Sequence, residues 1–135
     1  MLGLPKILFR TFILSLVLGI AVTCIWYAVV RKPGGADYAH QLPTIIVGTI
    51  YYNIILVGMS LPVLFFANPA IRKSVPMRLL LYFAGPVVVI LTTLISKNNP
   101  TTETFYLILA GIYTIVHTFH YFMEISKLDQ SGVVK

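Results

Sequence analysis

The sequence predicts an all-α polytopic membrane protein, with four transmembrane helices in an up-down bundle and both termini on the cytoplasmic side. Three observations predict it. Charged residues make up 10% of the 135-residue chain, against about 25% in a soluble domain. Hydrophobic residues make up 58%. The few charges also leave long gaps: none lies between Arg10 and Arg31, Asp37 and Arg72, Arg78 and Lys97, or Glu103 and Glu124.

Those gaps hold 20, 34, 18 and 20 residues. A hydrocarbon core of about 30 Å needs roughly 20 apolar residues in a helix, so each gap accommodates one crossing. The longest gap begins with His40, Gln41 and Pro43 and ends at Asn68-Pro69, which leaves one long helix rather than two. One domain, 1–135, is expected, with spans at about 8–30, 43–67, 77–96 and 101–127.

Each span has recognisable ends. The first follows Lys6 and Arg10 and stops at Arg31-Lys32-Pro33-Gly34-Gly35. Its apolar run from Thr11 to Val30 exceeds the 7–15 residues of a signal-peptide core, so a retained segment is expected. The second span ends at Asn68-Pro69, and the third lies between Pro76 and Asn98-Asn99-Pro100, both turn chemistry. The fourth opens on Thr101-Thr102-Glu103, a hydroxyl cap with a carboxylate at the positive end of the helix dipole. Short loops make consecutive helices antiparallel neighbours.

Orientation follows from the bases beside the spans, because cytoplasmic loops keep the excess of Lys and Arg. With the N-terminus inside, seven bases (Lys6, Arg10, Arg72, Lys73, Arg78, Lys127, Lys135) lie inside and three (Arg31, Lys32, Lys97) outside. The inner loop 68–78 carries Arg72, Lys73 and Arg78 and no acid. That suits anionic lipid headgroups, or an acidic cytoplasmic partner. The outer loop 31–41, with Gly34-Gly35, Asp37, Tyr38 and His40, is the place for an external contact.

Several function classes are excluded. The net charge of +6 does not imply a nucleic-acid partner, because the bases sit at span ends rather than on one water-facing surface. The single Cys24 rules out a disulfide framework or a Cys-rich zinc site. The one Asn-x-Thr has Pro100 in its middle and is not a glycosylation sequon. Cys24, Ser60, Thr92 and Thr93 have no sequence-local base to activate them as nucleophiles.

The informative residues are the polar ones inside spans, because these face a bundle interior, a partner or a cavity. On the fourth span Thr102, Tyr106, Tyr113, His117, His120, Glu124 and Lys127 share a stripe about 80° wide at about 100° per residue. Interhelical hydrogen bonding is the leading role for Tyr106, Tyr113, His117, His120 and Glu124. An ion or proton path is the second reading, and haem or quinone at His117 and His120 a weaker one. Two histidines on one helix face cannot clamp a single haem iron. His40, at the opposite membrane boundary, lies too far away to complete a metal site within one chain.

Other spans supply packing partners. Ser15, Gly19 and Thr23 form a small-residue ridge on the first, Asn53 is polar glue on the second, and Gly85, Thr92 and Ser96 share a face on the third. Pro86 frees a backbone carbonyl. Trp26, Tyr27 and Tyr121 read as interfacial belt residues. The expected function is non-enzymatic: an accessory, scaffold or immunity-type subunit of a cell membrane, acting through helix–helix contacts with other subunits or with itself. The alternative is a homo-oligomeric channel or ion-conducting effector, and no resident cofactor is expected.

Overall fold

The computed structural model describes residues 3–30, 37–96 and 100–125. Its elements are α1 (Leu4–Val30), α2 (Asp37–Met59), a 3-10 helix (Leu61–Ala67), a short α3 (Pro69–Lys73), α4 (Val75–Ile95), α5 (Pro100–His120) and a π-helical turn (Tyr121–Ile125). No strand occurs among the described residues. Four stretches are long and apolar enough to cross a membrane: Leu4–Val29, Gln41–Phe66, Val75–Ile95 and Glu103–Met123.

Helix ends depart from the sequence expectation for physical reasons. α1 starts at Leu4, four residues before Leu8, because Pro5 suits a first helical turn and Leu4, Ile7 and Leu8 are buried in a core cluster. α2 starts at Asp37 and carries Pro43 inside it, so Asp37 to His40 are helical backbone rather than loop. Asn68 caps α3, its side chain accepting from the Ala70 amide at 3.0 Å. The expected inner loop is therefore partly helical. The fourth span stays α-helical to His120 and then widens into the π turn. Arg31, Lys32, Lys97, Lys127 and Lys135 lie outside the described residues.

The long helices alternate in direction. Ser15 and Gly19 of α1 meet Asn53 and Thr49 of α2, while Thr11 and Gly19 meet His120 and Leu109 of α5. Tyr52 and Met59 of α2 meet Thr93 and Gly85 of α4. α1 and α4 each pack against α2 and α5, and α2 and α5 also touch.

Two apolar clusters fill the interior. One gathers Leu4, Ile7, Leu8, Val63, Phe66, Tyr82 and Tyr121 where the start of α1 meets the end of α5. Tyr121 is thus a core residue rather than a belt residue, as is the buried Tyr27. The other cluster joins Tyr52, Leu56, Val89, Leu109, Ala110 and Tyr113. The opposite surface is apolar as well, with Ile25, Val29, Leu80, Ile95 and Ile115 all more than 60% exposed. Polar side chains sit inside: Thr11, Ser15, Thr49, Asn53, Ser60 and His117 are almost wholly buried.

Candidate functional site

Two proline-induced backbone breaks organise the interior. The first is at the end of α2. Pro62 has no N–H to continue the ladder, and the chain tightens: the Ser60 amide reaches the carbonyls of Leu56 (3.1 Å) and Val57 (3.0 Å), and the Val63 amide bonds Ser60 O at 3.1 Å. An α-helix would have sent the Val63 amide to Met59 O. Gly85 of α4 packs against that carbonyl, so closely that a Cβ on Gly85 would overlap it. Glycine is required here by the approach of two backbones.

The second break is at Pro86 in α4. Its missing N–H removes the intrahelical donor to the carbonyl four residues earlier, that of Tyr82. His117 of α5 restores the bond, with Nε2 2.9 Å from Tyr82 O. A carbonyl can only accept, so Nε2 carries the hydrogen and the neutral ring has its lone pair on Nδ1. The Tyr82 hydroxyl in turn donates to the His117 carbonyl at 2.8 Å, one turn before the backbone changes to π geometry. The two rings stack with centroids 3.8 Å apart and planes 16° apart. Tyr82 and His117 thus form a reciprocal clamp. Nδ1 of His117 is buried with no hydrogen-bond partner among the described residues.

The other stripe residues reach different elements. Tyr106 stacks on Tyr52 of α2 at 4.8 Å. The Tyr113 hydroxyl donates to Ser60 Oγ at 2.9 Å, and Ser60 Oγ donates to Leu56 O at 2.9 Å. His120 Nδ1 lies 2.9 Å from Thr11 Oγ1 of α1. Tyr113, His117 and His120 bond outward, each to a different part of the bundle, and none of the described stripe residues hydrogen-bonds to the next. Thr102 and Glu124 have described backbone, in α5 and in the π turn, but not described side chains, and Lys127 lies outside the described residues.

These commitments bear on metal and haem chemistry. His117 gives Nε2 to Tyr82 and His120 gives Nδ1 to Thr11. Each ring thus has one nitrogen engaged with another helix. Among the described residues no group of three or more His, Cys, Asp or Glu gathers as a metal site.

The expected packing residues divide. Ser15 donates to Asn53 Oδ1 at 2.8 Å, and Asn53 Nδ2 donates to Thr49 O at 2.9 Å. Gly19 and Thr23 are buried on the same stripe, Thr23 donating to Gly19 O at 2.6 Å. Of the three residues expected on α4, Gly85, Thr92 and Ser96, only Gly85 is buried. Thr92 and Ser96 are exposed, with hydroxyls turned onto their own helix. The buried face of α4 runs through Tyr82, Gly85, Pro86, Val89 and Thr93, and Gly85 stands at its edge. Thr92, seven residues on from Gly85, is turned about 20° further from the face at about 100° per residue, and Ser96 is the C-cap, past the last helical residue, with extended backbone. Thr93, the neighbour of Thr92, meets the Tyr52 hydroxyl at 3.0 Å. Among the three inner bases, Arg72 is half-buried and Lys73 exposed, whereas Arg78 is buried in α4 and does not share their surface.

Thr11 and Tyr82 are the site residues that sequence reasoning missed. Thr11 extends the Ser15, Gly19, Thr23 ridge by four residues. Tyr82 stands four before Pro86, the position whose carbonyl a proline orphans. No protein-family model matches the chain, and comparison with curated proteins and solved structures gives no match either.

Proposed function

We propose that the chain is a small integral membrane protein of the cell membrane, both termini cytoplasmic, working as an accessory, scaffold or immunity-type subunit through contacts between helices. The inverted distribution of polarity supports insertion. Lipid rejects unpaired polar groups, and the buried Thr, Ser, Asn, Tyr and His side chains are paired inside while large apolar ones face out. The excess of seven bases over three supports the orientation.

The observation that carries the packing role is the outward bonding of α5. A conducting route needs successive polar groups in communication along a water-accessible line. Here Tyr113, His117 and His120 are each engaged with a different helix. The bundle is thereby fixed as a single body, and its lipid-facing helix surfaces are what it offers to another membrane chain.

Gentle extraction followed by crosslinking in native membranes tests the proposal. A defined higher-mass species, either a self-assembly or a complex with a second membrane protein, is expected. A chain that remains a lone monomer in its native membrane contradicts it. Liposome reconstitution tests the conducting alternative: ion or proton flux above empty vesicles, abolished by His117→Ala, would replace the packing reading.

A further inference from the structure

The outer side of α2 carries a seam that the rest of the bundle leaves uncovered. Thr44, Val47, Tyr51, Ile54 and Gly58 alternate at spacings of three and four residues, and all five are exposed. At about 100° per residue they lie opposite the face that packs into the bundle through Ile45, Thr49, Tyr52, Asn53 and Leu56. A repeat of about 3.5 residues keeps two helices in contact along a left-handed crossing, the usual geometry of helix pairs in membranes.

Two of these residues are not accounted for within the chain. Tyr51 stands ten residues after Gln41 and fifteen before Phe66, the ends of the span, so about 15 Å of helix rise separates it from the nearer boundary. That depth is mid-hydrocarbon, further from the headgroups than a phenol reaches. The side chain is 66% exposed, and its hydroxyl has no hydrogen-bond partner among the described residues. Lipid-facing tyrosine belongs at the headgroup boundary, where its hydroxyl finds water; acyl chains offer it neither donor nor acceptor. Gly58 is the second. Glycine weakens a helix, and a close neighbour accounts for it at Gly85 and Gly19, whereas a Cβ on Gly58 would meet no described atom within 4 Å. Gly111 of α5 is as open, but the hydroxyls of Thr114 and Thr118 beside it bond their own helix.

We propose that this seam is the interface of a parallel homodimer, two α2 helices related by a twofold axis along the membrane normal, with each Tyr51 hydroxyl bonded to its counterpart and the backbones closest at Gly58. A second copy inserted in the same orientation places its own Tyr51 at the same depth by symmetry. A hydroxyl both donates and accepts, so the pair is self-complementary where lipid is not. No charged residue interrupts the seam. The apolar groove of about 390 Å³ between α1 and α2, lined by Ile54 and Val57 with Phe9 and Phe12, gives the second helix room beside it. The dimer rests on the subunit reading above and names the partner as a second copy of the chain.

The test uses full chains carrying donor or acceptor fluorophores, mixed in phosphatidylcholine vesicles and diluted stepwise with lipid. Energy transfer is expected to exceed that of random mixing and to fall with dilution along a monomer–dimer curve. Gly58→Leu puts a good helix former at an open position and is expected to weaken association about ten-fold or more, because the backbones can no longer approach. Tyr51→Phe is expected to weaken it about three-fold, the size of an average interhelical hydrogen bond in a membrane. Gly111→Leu, the matched control on α5, is expected to leave the curve in place. Transfer no greater than random mixing, a curve unmoved by Gly58→Leu, or one moved as far by Gly111→Leu overturns the seam. Crosslinking in native membranes separates the two readings: crosslinks to a different membrane protein alone overturn the dimer and keep the subunit role, whereas a lone monomer defeats both.

Discussion

The two seams beside α5 solve the same problem by opposite means. Along α1 the buried stripe is Thr11, Ser15, Gly19, Thr23 and Tyr27, mostly short side chains that bring backbones together, Thr23 bonding its own helix while Thr11 and Ser15 meet the side chains of His120 and Asn53. Along α4 the contact is made by Tyr82 and His117, long rings that stack and bond across to each other's backbone. The difference follows from the backbone. α1 is an unbroken helix of 27 residues with every interior carbonyl served by its own ladder, so its neighbours need only fit. α4 carries Pro86 and faces the break at Pro62, so its neighbours must supply missing hydrogen bonds as well. In a low-dielectric interior an unserved carbonyl costs several kcal/mol, which is more than a packing defect of one methyl group.

That contrast ranks the substitutions. Gly85→Ala is expected to be the most damaging, because its methyl would meet the Met59 carbonyl, which is backbone and cannot rotate away. A loss of about 3 kcal/mol in detergent-to-SDS unfolding is expected, and no measurable loss would show that the two breaks do not touch. Gly19→Ala on the α1 seam is gentler. Its Cβ would lie 3.0 Å from Leu109 Cδ2 and 3.3 Å from Thr49 Cγ2, both side-chain ends. About 1 kcal/mol is expected, and a loss equal to that of Gly85→Ala would erase the distinction between the seams.

Tyr113→Phe is expected to have the smallest effect, about 0.6 kcal/mol. Ser60 Oγ keeps its bond to Leu56 O when the tyrosine hydroxyl is gone, so no donor is left unserved. The same unfolding titration measures it. A loss above about 2 kcal/mol would mean that the Tyr113–Ser60 pair holds more than its own hydrogen bond.

Much of this architecture was legible because four helices long and apolar enough to cross a membrane are written in charge-free length, a one-dimensional property. The Ser15, Gly19, Thr23 ridge and the inward stripe of Tyr113, His117 and His120 were legible too, because a straight helix repeats its face predictably. The α4 face was not. Its proline sits beside Gly85, and a count anchored on that edge glycine selects Thr92 and Ser96 instead of Thr93. The partner of His117 was also hidden, although the rule that exposes it is local: Pro86 names Tyr82 as an acceptor, but nothing in the sequence says which helix comes to serve it.

The central claim is that His117 replaces the hydrogen bond that Pro86 removes from Tyr82 O. A double-mutant cycle between the two positions tests it most directly, with His117→Phe measured in the native background and in Pro86→Ala, where residue 86 regains an N–H four residues after Tyr82. In the native background His117→Phe is expected to cost about 2–3 kcal/mol, the penalty of a buried acceptor left unserved. In Pro86→Ala the restored amide serves the carbonyl, and the cost is expected to fall below about 1 kcal/mol. The same loss in both backgrounds would contradict the claim and leave His117 with a role independent of the break.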